Sequence, residues 1–212
     1  MLRPVGSGLP LGFLSFAIGM LILGCQATGW IPVAEQRNGG MILMAFVFPL
    51  ELTATIFAFL ARDTLGATTL GLFTTSWLTL GWLEVASSPG RTSVTVGIYL
   101  FGFAGAVLLL SGLSTAGKPL FSVLLVLAAT RMALDGIYQV GAAGISVYRA
   151  SGGIGVALTA LAMYGGLALG LEDARHREVL PLFRRGAAAE SFDGLERQLA
   201  RLEAEPGVRQ QL

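Results

Sequence analysis

The sequence predicts an all-α integral membrane protein: a bundle of six transmembrane helices followed by a short polar tail. Three observations predict it. Hydrophobic residues make up 54% of the 212, a further 29 are glycine, and mean hydropathy is +0.71. Charge is displaced towards the C-terminus: of 14 Lys/Arg and 13 Asp/Glu, 12 fall in residues 1–171 and 15 in residues 172–212. The first stretch is therefore about 7% charged, against roughly 25% in a soluble domain. Finally, six apolar runs are each long enough to cross about 30 Å of hydrocarbon at about 1.5 Å per residue. Together these exclude a soluble domain for residues 1–171, and they exclude disorder, which needs low hydrophobicity and high charge.

The first span, Leu9–Ile31, follows Arg3 and is too long for the apolar region of a signal peptide. The second, Gly40–Ala61, carries Glu51 at its middle. The third, Ala67–Ala86, is rich in threonine, as is the end of the second. The fourth, Val94–Leu113, carries Gly102 and Gly105. The fifth, Pro119–Ala143, holds Arg131 and, one turn later on the same face, Asp135. The sixth, Gly152–Leu171, is crowded with Gly152, Gly153, Gly155, Gly165, Gly166 and Gly170. In lipid, helices associate by close backbone approach, so these glycines mark helix–helix faces. Turn-forming residues separate the spans, for example Arg37-Asn38-Gly39-Gly40 and Ser87-Ser88-Pro89-Gly90-Arg91.

Residues 1–171 thus form the membrane domain and residues 172–212 the tail. Within the tail, Asp193-Gly194-Leu195-Glu196 has capping-box spacing. Leu195, Leu199 and Leu202 then recur at helical intervals before Pro206, which predicts a short amphipathic helix over about 194–205. With the N-terminus inside, the inner segments carry Arg3, Arg62, Lys118, Arg175, Arg177, Arg184 and Arg185, and the outer loops carry Arg37, Arg91 and Arg149. That bias puts both termini in the cytoplasm, the protein lying in the inner (plasma) membrane.

Net charge is +1, which suggests no nucleic-acid partner. A single cysteine, Cys25, and a single histidine, His176, supply neither a metal set nor a catalytic triad. The sequence implies no enzyme, metal or cofactor. Its chemistry lies in Glu51, Arg131 and Asp135. Each costs about 2.5–3.5 kcal/mol at the bilayer centre, a cost met when such groups pair or face a wet cavity. A buried network of the three is expected, fixing helix register or lining a route. The hydroxyls Thr53, Thr55, Thr64, Thr68, Thr69, Thr74, Thr75, Ser76 and Thr79 offer a hydrophilic lining beside it, although many can bond their own backbone.

The run Arg62 to Leu80 carries Asp63, Thr64, Gly66, Thr68, Trp77 and Leu78 in ungapped register with a motif that reads approximately N-T-F-G-x-T-A-F-x-S-Y-G-x-F-W-L. It resembles the signature of the acetate uptake transporters, the succinate–acetate permeases of bacteria and their fungal relatives. Pro10-Leu11-Gly12-Phe13 resembles the end of that family's N-terminal N-P-A-P-L-G-L box, Gly97-Ile98-Tyr99-Leu100 its fourth span, and Glu172 with Val179-Leu180-Pro181 its close. The likeness covers about residues 7–183. It implies six helices around one pore per protomer, a homo-oligomer that is hexameric in known bacterial members, and transport of acetate or a similar small monocarboxylate across the lipid bilayer. It also implies a constriction of three apolar side chains. Phe16 and Phe73 match two of them, and the third falls near Thr130 or Arg131. Two departures bear on substrate. Ser7 and Gly8 stand where the box begins Asn-Pro, ahead of Pro10, Leu11 and Gly12. Glu51 stands where the family has a neutral amide.

A carboxylate there would repel an anion unless protonated or paired with Arg131. A channel for a small neutral or cationic solute (ammonia, urea or a short amide) is therefore a rival reading, and a non-transporting assembly protein is a third.

Overall fold

A computed structural model describes residues 7–115, 117–175 and 177–184. All its regular structure is helical among the described residues. The helices are α1 (Leu9–Thr28), α2 (Gln36–Ile42), α3 (Phe48–Leu60), α4 (Thr64–Ala86), α5 (Val94–Ser114), α6 (Pro119–Gln139) and α7 (Ile145–Arg175). A 3₁₀ turn, Val33–Glu35, leads into α2, and one π-helical segment, Leu43–Val47, joins α2 to α3. Val33–Leu60 is thus a single 28-residue rod. The π segment has a local cause. Pro49 has no N–H to give the turn before it and its ring crowds the carbonyl four residues back. The ladder relaxes to the wider spacing just ahead of it, the Phe48 N–H reaching the Leu43 carbonyl.

Six long rods therefore stand where six spans are expected. Five are long and apolar enough to cross a membrane. The other, α4, has 23 residues, ample length, but threonines and Glu84 dilute its apolar character. Boundaries shift at the ends. α6 stops at Gln139 because Gly141 takes φ +76 and its N–H caps the Tyr138 carbonyl. α7 begins at Ile145, earlier than the glycine run suggests, and continues through Glu172 to Arg175. Residues 177–184 then fold back: Leu182 is buried, the Tyr164 hydroxyl donates to the Pro181 carbonyl at 2.8 Å, and Arg184 pairs with Glu172 at 2.7 Å. His176 and the expected helix over about 194–205 lie outside the described residues.

The rods close into a ring in which chain neighbours pack side by side and α7 returns to α1. Glycines set the closest crossings. A Cβ on Gly40 would sit 2.6 Å from the Gly81 carbonyl oxygen, and one on Gly81 2.7 Å from that of Gly40, locking α2 to α4. Gly97 and Gly136 do the same for α5 and α6, and Gly24 and Gly152 for α1 and α7. Gly102, Gly105, Gly153 and Gly170 are different: a Cβ there meets nothing, so they are not contact points inside the ring. Outside, the ring shows large apolar side chains such as Ile98, Leu109, Leu113 and Phe59. Inside, it buries Glu51, Arg131 and Asp135. Apolar faces outward and charges inward suit a hydrocarbon solvent.

Candidate functional site

Three cavities succeed one another along the inside of the ring. Their order is fixed by the residues that α1, α4 and α6 contribute to each. The first, of about 50 Å³, opens at the end where α1 begins. Leu9, Phe13, Phe121 and Leu182 line it, with Asp63, Lys118 and Arg184 about its rim. Asp63 caps α4 by accepting from the Gly66 N–H and pairs with Lys118 at 3.0 Å, tying the α3–α4 turn to the start of α6. The N-terminal box sits here too. Pro10 occupies the first turn of α1, where its missing N–H costs nothing. The Ser7 hydroxyl accepts from the Leu9 N–H, and Leu11 packs with Ala54 and Ala67. Gly12 lies against Leu70, where a Cβ would come within 2.7 Å.

The second cavity shares Phe13 and Phe121 with the first. It is about 20 Å³, close to the least that holds one water. Gly12, Phe16, Glu51, Thr69, Phe73 and Leu125 surround it, among others. Glu51 is fully buried and accepts a hydrogen bond from the Trp77 indole N–H through one oxygen, while its other oxygen has no partner among the described residues.

An aromatic cluster ends this cavity. Phe16 and Phe73 meet edge-to-face at 5.0 Å between ring centroids. Phe73 also meets Phe103 at 5.3 Å, and Trp77 lies 5.8 Å from Phe16. All four rings are buried. α6 completes the cluster with Leu124, Leu125, Ala128 and Met132. Thr130 does not take part. It is exposed on the far side of α6, where its hydroxyl bonds the Val126 carbonyl. The α6 contribution at this level is apolar, and the expectation of a polar residue here is corrected: of the two candidates, Thr130 points outward and Arg131 lies beyond the cluster.

Beyond the cluster lies the third and largest cavity, about 100 Å³. Its lining includes Trp77, Glu84, Arg91, Arg131, Asp135, Gln139 and Tyr148. Arg131 pairs with Asp135 at 3.4 Å, and Asp135 also accepts from the Ser151 hydroxyl. Gly155 of α7 leaves room for the guanidinium, since a Cβ there would lie 2.9 Å from Nε. The expected three-membered network is therefore split. Arg131 and Asp135 pair in the third cavity, and Glu51 faces the second with Trp77 as its donor. The reason is depth: Arg131 sits eight residues before the end of α6, nearer that mouth, and the aromatic cluster intervenes.

The hydroxyl lining is also sparser than expected. Thr53, Thr75 and Thr79 are exposed and bond their own backbone. Thr69 and Ser76 reach cavities, and Thr55 and Thr74 bond each other at 3.1 Å between α3 and α4.

Sequence reasoning missed Trp77 as the partner of Glu51 and missed Glu84, Tyr148 and Ser151 altogether. Trp77 was legible only as a motif residue. Glu84 lies two residues inside the predicted end of its span, where position alone does not mark an ionisable residue as buried.

No family model and no curated protein matches the sequence. A solved structure does match. The bacterial acetate channel SatP superposes on this chain with a TM-score of 0.74 at 17% identity, covering 84% of this chain and 99% of that one. The chain has the fold of that acetate channel. The resemblance drawn from the third-span motif therefore extends to the backbone, while the side chains have diverged. The SatP-like ring supplies the frame, and the charges on either side of its aromatic cluster are read on their own chemistry.

Proposed function

We propose that the protein is a membrane permease or channel that moves acetate or a similar small monocarboxylate through the centre of its own helix ring. The observation that carries this reading is the series of three cavities, interrupted at one level by Phe16, Phe73 and Trp77. A dry assembly protein would not need cavities that reach both Glu51 and Arg131. Arg131 stays charged and offers a planar fork of donors, which suits a carboxylate. Phe16 and Phe73 narrow the path, and Ser7, Pro10, Leu11 and Gly12 shape the mouth at which α1 begins. Both termini face the cytoplasm, and subunits assemble as a homo-oligomer, hexameric by resemblance. Glu51 and Asp135 are the groups placed to carry a proton if transport is coupled to one.

One observation favours a second reading. Glu51 faces the narrow cavity without a cation beside it. A fixed anion there would favour a small neutral or cationic solute such as ammonia, urea or a short amide.

Uptake of labelled acetate into proteoliposomes, with and without an inward proton gradient, tests the first reading. Protein-free liposomes set the leak. Flux above the leak that other short carboxylates compete is the expected result, and its gradient dependence reports coupling. Flux equal to the leak in both conditions removes acetate as substrate and passes the weight to the second reading.

A further inference from the structure

We propose that the third cavity is a binding site for a small carboxylate bearing a hydrogen-bond donor on its α-carbon, that is, a 2-hydroxy or 2-amino acid. Arg131 takes the carboxylate and Glu84 takes the donor. The proposal rests on the monocarboxylate reading above and sharpens its substrate class.

Among the described residues, this cavity brings together a cation and a carboxylate from different helices, Arg131 and Glu84, that make no ion pair with each other. Arg131 is 3% exposed and lines it. Among the described residues its ion pair is the single, long contact from Nη2 to Asp135 at 3.4 Å, and its buried Nε–H meets no acceptor. The Nε edge lies against Gly155 of α7, so a carboxylate in the cavity is met by the Nη end of the guanidinium, which presents its two amino groups as a fork. Asp135 meets Ser151 through one oxygen and Nη2 through the other.

Glu84 reaches the same cavity from α4. Its one hydrogen bond comes from the Gln26 amide at 3.4 Å, near the limit of such a bond. An ionised carboxylate only accepts. Acetate has nothing to donate to it, so acetate held by Arg131 leaves Glu84 facing an anion. A hydroxyl or ammonium on the α-carbon answers Glu84 instead. The remaining charged and titratable neighbours, Arg91 and Tyr148, line the same space, and the apolar wall of Met20, Leu23 and Leu100 favours a small ligand. About 100 Å³ holds several waters, which is room for a ligand of five or six heavy atoms.

Isothermal titration of the purified full chain in detergent micelles tests this. The probes are glycolate, glycine, acetate and propionate. Glycolate or glycine is expected to bind at least tenfold tighter than acetate and propionate, and the stronger of the two identifies the donor as hydroxyl or ammonium. Glu84→Ala should erase the preference, weakening glycolate and glycine and tightening acetate as the facing carboxylate is removed, so that the probes bind within about twofold of one another. Arg131→Lys keeps a cation for Asp135, so the fold is retained, but removes the fork; it should weaken every probe at least tenfold. Equal binding of all four probes, or a Glu84→Ala protein that keeps the preference, overturns the proposal while leaving the permease reading intact if acetate still crosses in proteoliposomes. No binding together with no acetate flux overturns both.

Discussion

Replacing Phe73 by alanine separates a path through the ring from a packed core. Phe73 is 2% exposed and stands where the second cavity ends. Passage of a solute requires the cluster to part, and Phe73 must then leave its two nearest aromatic neighbours, Phe16 at 5.0 Å and Phe103 at 5.3 Å, Trp77 lying farther off at 6.5 Å. Aromatic pairs of this kind contribute about 0.5–1.5 kcal/mol each beyond their buried area. Removing both lowers the cost of parting by about 1–3 kcal/mol, which is roughly a 5- to 150-fold gain in rate. The same change should destabilise the fold by about 3–5 kcal/mol, as large-to-small core changes do. Labelled acetate uptake into proteoliposomes reads the first effect and thermal unfolding in detergent reads the second. Phe59, exposed on the outside of α3, is the control: Phe59→Ala should leave flux unchanged. A Phe73→Ala protein that is folded and destabilised but takes up acetate at the wild-type rate would refute the aromatic cluster as the barrier on the route.

Glu51→Gln keeps an acceptor for the Trp77 indole and removes any negative charge from the narrow cavity. Acetate flux is expected to rise, by no more than the roughly 4 kcal/mol that two like charges exchange at about 4 Å with an effective dielectric near 20; a fall of tenfold or more in the same uptake assay would instead make the carboxyl itself part of transport. Asp135→Ala leaves Arg131 buried without its counter-charge and should cost about 3–5 kcal/mol, whereas the double change Arg131→Met with Asp135→Leu should cost less than the single one, as removal of a whole buried pair usually does. Denaturation of the three proteins in parallel checks the order. Gly152→Ala should destabilise by about 1–3 kcal/mol, because its Cβ would come within 2.7 Å of the Thr28 backbone nitrogen, and Gly153→Ala, facing open space, should be neutral or gain up to about 1 kcal/mol of helix propensity. Thermal melts of the two variants side by side test this.

The all-helical class and the approximate position of the spans were legible because a bilayer sets a length, and a run of apolar residues either reaches it or does not. Which residue faces inward was less legible. In lipid both faces of a span are apolar, so the hydropathy contrast that marks the core face of a soluble helix is weak. Thr130 and Arg131 show the consequence. They are adjacent, and α6 turns one outward and the other into a cavity. Glycine was ambiguous for the same reason: Gly152 is pressed against α1 and Gly153 touches nothing, and composition ranks them equally. The ionisable residues were easily found, because each is costly in a membrane helix, but cost does not name a partner. Arg131 and Asp135, one turn apart on one helix, paired as local geometry demands. Glu51 needed a contact across 26 residues of sequence, and nothing in the sequence distinguishes the Trp77 indole from any other motif aromatic.

The split between those charges bears on how a ring of this kind could be selective. Had Glu51 and Arg131 paired across the bundle, their attraction would have bridged the two ends and cancelled the charge of both. Instead the cluster of Phe16, Phe73 and Trp77 lies between them, and each side keeps its own character. The narrow side holds one carboxyl in a space for about one water. The wide side holds both signs of charge in a space for a small organic ligand. A solute entering from the wide side meets a recognising chamber directly before the constriction, and one entering from the other side crosses the first cavity and then the small space beside Glu51 before it. Opening the constriction with Phe73→Ala therefore should raise flux without abolishing competition by carboxylates at the wide mouth. Narrowing the wide chamber, for example with Val96→Phe in its lining, should abolish that competition with the constriction intact. If both substitutions altered flux and competition in the same proportion, recognition and constriction would be one site, and the separation seen along α1, α4 and α6 would have no functional weight.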